Sequence, residues 1–147
     1  MPPDLLDFIR ALNKARVRYL LVGGYSVILY GYMRSTMDMD IWVEKSKTNY
    51  IKLCKAFEFF QMPLFDMTED NFLYNQEFDV YTFGRPPIQI DILNQVKGLS
   101  FKTAWENRAT RKTDGVNLKL ISKKDLIVAK KAAGRFKDLD DIEKLNS

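Results

Sequence analysis

The sequence predicts an α/β (α+β) domain, a mixed β-sheet of about five strands with helices packed mainly on one face. Three features of the chain support this. Segments 38–43 and 88–93 alternate apolar and polar residues with the period of two that a half-buried strand requires. Segments 4–16 and 48–60 carry apolar residues at helical spacing. Between them, the apolar run of residues 19–22 breaks at Gly23-Gly24, where a strand can turn directly into a helix.

In chain order, helix 4–16 has Leu5, Ile9 and Leu12 on one face; two prolines precede it and Lys14, Arg16 and Arg18 crowd its end, which suits the helix dipole. Strand 19–22 follows. Gly23-Gly24 lets the backbone turn tightly and lets a phosphate approach the first amides of the next helix, 25–30. On its own such a Gly-Gly marks only a turn. Residues 32–37 form a loop and 38–44 the second strand. Helix 48–60 buries Ile51, Leu53, Cys54, Phe57 and Phe60; within that face Cys54 reads as a small buried hydrophobe. Segment 61–76 is irregular apart from a turn of helix at 69–74. Strands 78–83 and 88–93 make an antiparallel hairpin through Gly84-Arg85-Pro86-Pro87. After a short helix, 101–107, a second hairpin joins 109–112 to 116–120 through Asp114-Gly115. Ser122, three residues before Asp125, marks the capped start of a helix to Ala133 that Gly134 stops. An acidic helix, 138–145, comes last. No repeat or low-complexity segment interrupts the chain, which reads as one domain, 1–147.

Composition removes whole classes of chemistry. The chain has no histidine and one cysteine, so disulfides within it, zinc sites built on His and Cys, and His-based triads are excluded. Catalysis would have to run on carboxylates, lysines, hydroxyls or a hard metal ion. With 46% hydrophobic and 13% aromatic residues the chain has material for a real core. No run approaches the roughly 20 apolar residues of a membrane span, and the first residues lack a signal-peptide pattern, so the expected location is the cytoplasm, with no membrane partner. The net charge of +4 is unevenly spread: residues 1–96 hold 10 Lys and Arg against 12 Asp and Glu, while residues 97–137 hold 12 against 3. The basic stretch is suited to a polyanion.

The acids are the informative feature. A strand over 38–43 places Asp38, Asp40 and Trp42 on one face and Met39, Ile41 and Val43 on the other. In 88–93 the isoleucines take the core and Asp91 faces the other way. If the two strands are neighbours, three like charges converge, an arrangement that is unfavourable without a cation between them.

The succession of strand, Gly23-Gly24, helix, Asp38-x-Asp40 and a later strand with Asp91 resembles the nucleotidyltransferase superfamily, with its polymerase-beta-like fold. The short bacterial members, some in toxin–antitoxin systems, are the most similar. Gly31, Arg34, Thr36, Ile41 and the tail AAGRFKDLDDIEKL carry that likeness, which covers most of the chain. Ser26 and Tyr30 stand where relatives often have Ala and His, and the chain is too short for the helical substrate domain of the larger enzymes.

The resemblance implies a transferase that moves an NMP from an NTP to a hydroxyl acceptor, small molecule, RNA or protein. Two divalent ions, Mg²⁺ or Mn²⁺, about 4 Å apart can stabilise the entering and leaving oxygens of such a reaction. Asp38, Asp40 and Asp91 are the expected ligands and catalytic residues, with Asp91 also a candidate general base. Gly23, Gly24, the hydroxyl of Ser26, and Arg34 are placed at the phosphates of the nucleotide, with Thr36 fixing the loop before Asp38. Lys124, Lys131 and Arg135 fall on roughly one side of the helix that starts at Ser122, as a solvated face or as contacts to acceptor or phosphate. Two other readings stay open. One is an antitoxin or regulatory module that binds nucleotide or a partner toxin with weak or no turnover; the other is a nucleic-acid-binding module using segment 97–137.

Overall fold

A computed structural model describes residues 1–147. The elements run α1 (Pro3–Lys14), β1 (Tyr19–Val22), α2 (Gly23–Leu29), β2 (Asp38–Val43), α3 (Lys47–Phe60), α4 (Glu69–Tyr74), β3 (Val80–Arg85), β4 (Ile88–Leu93), α5 (Phe101–Glu106), β5 (Ala109–Thr113), β6 (Val116–Leu120), α6 (Lys123–Ala133) and α7 (Phe136–Asn146). The strands form one mixed sheet of order β3-β4-β2-β1-β6-β5. β2 lies antiparallel to β1 and parallel to β4, β6 lies parallel to β1, and β3 and β5 close antiparallel hairpins at the two edges. Six strands form rather than about five, because the β5–β6 hairpin joins the sheet through Leu21 and Leu120 instead of standing apart.

Strand alternation sorts the side chains into two cores. Tyr19, Leu21, Met39, Ile41, Val43, Ile90 and Ile92 face α1 and α3, where Phe8, Leu12, Leu53 and Phe57 complete the larger core. Leu20, Val22 and Trp42 point to the other face and meet Ala104 of α5, Leu126 of α6 and Leu145 of α7. Each large apolar side chain so buried contributes roughly 1.5–3 kcal/mol. The main helices cover one face as anticipated, and the C-terminal helices take part of the second, leaving the acidic ends of β2 and β4 uncovered by this packing. No helix is long and apolar enough to cross a membrane.

Local chemistry sets the boundaries. α1 stops at Lys14 because Arg16 takes a left-handed φ of 60°. Ser46, Thr68, Ser100 and Ser122 each cap the helix that follows by accepting a backbone N–H. Gly134, with φ 67°, ends α6. β3 starts two residues later than its alternation suggests, because the Phe78 N–H is drawn back to the Asn75 carbonyl. Cys54 packs half-buried against the larger core, and burial pushes its thiol pKa up, as suits a hydrophobe rather than a nucleophile.

Asn49, 2% exposed, ties the chain on either side of β1 and β2 together. Its Oδ1 accepts from the Arg18 N–H at 2.8 Å, and its Nδ2 donates to the carbonyls of Arg18 at 3.1 Å and Glu44 at 2.9 Å. Asn49→Ala leaves the Arg18 N–H and the Glu44 carbonyl without partners, while the Arg18 carbonyl still accepts from the Glu44 N–H, and is expected to cost about 2–3 kcal/mol. Urea denaturation checks this; a loss below about 0.5 kcal/mol would mean that water replaces the amide freely.

Candidate active site

The site grows out of the register of three adjacent strands. Val22 at the end of β1 is opposite Asp40, and Asp40 is opposite Asp91 across the parallel β2–β4 pair. Asp38, two residues back, points to the same face. The three carboxylates each offer an oxygen, and these oxygens all lie within 4.8 Å of one another. Gln89, also on this face, donates from Nε2 to Asp91 Oδ1 at 3.2 Å and steadies that carboxylate.

Two glycines let the turn close onto the acids. Gly23 has φ +69°, and a Cβ there would overlap the Asp40 carboxylate. A Cβ at Gly24 would overlap the Arg34 guanidinium and lie 2.8 Å from Thr36 Oγ1. The helix begins at Gly23 itself rather than at residue 25, which brings its first turn against β2. Thr36 Oγ1 donates to the Asp38 carbonyl at 3.0 Å, at the entry to β2.

No cation forms an ion pair with Asp38, Asp40 or Asp91. Burial, then the charges of Asp38 and Asp91, push Asp40 up to about 7. Burial and the proximity of Asp91 also raise Asp38. Three of the cations nearby are committed elsewhere. Lys130 of α6, 6% exposed, reaches Asp138 Oδ1 at 3.3 Å and Asp141 Oδ2 at 3.1 Å. Arg34 Nε contacts Asp141 Oδ1 at 3.0 Å, and Arg135 Nε contacts Asp138 Oδ2 at 2.6 Å. Burial works against the charge of Asp138, but hydrogen bonds from Arg135 and the charge of Lys130 more than offset it and hold its carboxyl below the ordinary range. This clasp joins the loop before β2 to α6 and α7 beside the acids. A cleft of about 230 Å³ opens over them, lined by Gly24, Arg34, Asp38, Asp91, Lys130 and Lys137. A second cavity of about 200 Å³ runs from Asp40 between α6 and Val96.

The structure thus brings together Gly23, Gly24, Arg34, Thr36, Asp38, Asp40, Asp91 and Arg135. Ser26 is a correction: it is fully buried, and its hydroxyl donates to the Gly23 carbonyl, so it braces the turn instead of facing a phosphate. Lys124 and Lys131 are exposed on α6 and line neither cavity. Lys130, which the sequence analysis does not single out, is the inward lysine and lies one turn after the buried Leu126. Asp138 and Asp141 are likewise one turn apart and both buried.

This chain belongs to the family described as nucleotidyltransferase of unknown function (DUF6036), whose model matches residues 4–146. Its fold is similar to that of a solved lincosamide antibiotic adenylyltransferase, LnuA, in a lincomycin-bound crystal structure. The TM-score is 0.59 at 17% identity, over 100% of this chain and 97% of that one. No curated protein matches the sequence.

The acid cluster has a signature in the metal-free protein. Asp40 has a folded pKa near 7, above the unfolded value of about 4, so the stability it contributes is present below about pH 4 and lost as the pH rises through about 7. Thermal melts without metal are expected to fall between about pH 5 and 8, and to fall less in Asp40→Asn. A melting temperature that rises over that window in the wild type would contradict the crowding of charge at Asp40.

Proposed function

We propose that this chain transfers an NMP from an NTP to a hydroxyl acceptor with the help of divalent ions held by Asp38, Asp40 and Asp91. The single observation that carries this is the convergence of three carboxylates, none of them paired with a cation, beside a glycine turn that leaves no room for a side chain. An all-oxygen, anionic donor set fits Mg²⁺ or Mn²⁺. The elevated pKa of Asp40 marks a cluster that is electrostatically incomplete by itself. When bound, such ions supply charge neutralisation and Lewis acidity to the phosphates.

The protein's own groups do the rest. The cleft beside Gly24, with Arg34, Lys130 and Lys137 on its walls, presents positive charge where a triphosphate would lie. Asp91, held by Gln89, is placed to take the proton of the acceptor hydroxyl as its oxygen forms a bond to the α-phosphorus. The bond from that phosphorus to the bridging oxygen breaks, and pyrophosphate leaves with the electron pair. Chain length does not weigh against turnover, because the adenylyltransferase of similar fold is matched over 97% of its own chain.

The test is single-turnover transfer from labelled NTP with Mg²⁺ or Mn²⁺ across a panel of small-molecule, RNA and protein acceptors. Asp38→Ala and Asp40→Ala are each expected to lower the rate by more than about a thousand-fold. Lys131→Ala should leave the chemical step intact. Residual activity in Asp40→Ala equal to that of the wild type, with nucleotide shown to bind, would defeat the enzyme reading. It would favour the nucleotide-binding or antitoxin module, which a stable complex with a partner toxin would then support.

A further inference from the structure

At the opposite end of β1 and β2 from the acids, three cations gather around one indole, and a fourth acts on them by charge. Arg108, just after α5, lies with its guanidinium 4.0 Å from the centre of the Trp105 ring. Lys119 of β6 lies 5.2 Å and Arg18, just before β1, 5.6 Å from the same ring. Lys52 of α3 is close enough to act on Lys119 by charge. Burial, and then the charges of Arg108, Lys52 and Arg18, lower the Lys119 pKa. Glu44, 3.3 Å from Arg18, is the one acid in ion-pair contact with any of the four.

The platform is rigid. Trp105 stacks on Phe101 at 5.8 Å, and Phe101 meets the buried Trp42 edge-on at 5.1 Å. Arg108 is further held by donation from its Nη1 to the Trp105 carbonyl at 2.9 Å, and Lys119 by donation to the Val17 carbonyl at 3.4 Å. Exposed Arg18 and Arg108 therefore present their charge in fixed positions.

We infer that this cluster is a binding surface for single-stranded nucleic acid, separate from the acid cluster and independent of whether transfer occurs there. Converging cations repel one another, and a run of phosphates relieves that repulsion at several points at once. Guanidinium groups match phosphate geometry, and exposed Arg108, laid over the indole, offers a planar cation on which a base can stack without regard to sequence. A membrane surface fits less well, because the large exposed apolar side chains, such as Met33, Phe65 and Phe136, belong to other parts of the chain.

The experiment measures anisotropy of a labelled single-stranded RNA of about ten nucleotides, and of DNA of the same sequence, from about 50 to 200 mM salt. Wild type is expected to bind with a log–log salt slope of about −2 to −3, four phosphates at roughly 0.7 each. Arg108→Ala with Lys119→Ala should weaken binding at least about ten-fold at low salt and make the slope shallower by about 1.4. Lys14→Ala with Lys55→Ala removes the same charge from another exposed aromatic, Phe59, and should change affinity less than about two-fold. Binding should quench tryptophan fluorescence in the wild type and not in Trp105→Phe, which keeps only Trp42. Melting temperature and Mn²⁺ binding, measured on every variant, separate loss of the surface from loss of the fold. Equal losses in the two double variants would reduce the effect to net charge and overturn the assignment. So would tighter binding to phosphatidylserine vesicles than to RNA, or an unchanged quench in Trp105→Phe. Failure here leaves the transfer proposal standing, and RNA binding without any transfer leaves this one standing.

Discussion

Electrostatic repulsion among Asp38, Asp40 and Asp91 is the constraint to which the rest of the molecule answers. Holding three carboxylate oxygens within 4.8 Å is unfavourable, and the fold offers them no ion-pair partner. The cost is met by the β1–β2–β4 ladder, whose register is pinned on its other face by Leu21, Met39, Ile41, Ile90 and Ile92 in the larger core. A slip of one residue in β2 would send both aspartates into that core and Met39 and Ile41 into the cleft. The apolar alternation therefore positions the acids as firmly as any contact they make themselves.

Cations lie close to the acids and are nevertheless withheld from them. Asp138 and Asp141 of α7 engage Lys130, Arg135 and Arg34, so the positive rim stays near the cleft without collapsing onto the carboxylates. Breaking one partner of such a buried pair strands the other and costs several kcal/mol, whereas the intact clasp adds little net stability. Its value lies in position. It fastens the loop of Arg34 to the last helix, and it leaves the acids to bind something brought from outside.

Much of this was readable in the sequence, because it depends on local periodicity. β1, β4, β6 and α4 follow from alternation or helical phase to the residue, and the caps at Ser122 and Gly134 follow from short-range hydrogen bonding. The pairing of Asp91 with Asp40 was legible only through resemblance, since no local pattern states which strands are neighbours. Ser26 was misplaced because a hydroxyl after a glycine turn looks the same in sequence whether it faces a ligand or the Gly23 carbonyl. Lys124 and Lys131 share one side of the helix in the sequence, but the packing of α6 against Leu20 and Trp42 makes Lys130 the lysine that turns inward. The clasp with α7 and the cations around Trp105 join residues far apart in the chain, where no periodicity connects them.

The central claim, that the acid cluster is a divalent-metal centre, is tested most directly by anomalous diffraction from crystals soaked in Mn²⁺ with a non-hydrolysable NTP analogue. The account predicts anomalous density bounded by Asp38, Asp40 and Asp91, with the phosphates lying toward Gly24 and Arg34. Manganese bound elsewhere, at Asp140 or Glu143 on the surface of α7 for example, with the triad free of it at saturating concentration, would contradict the account.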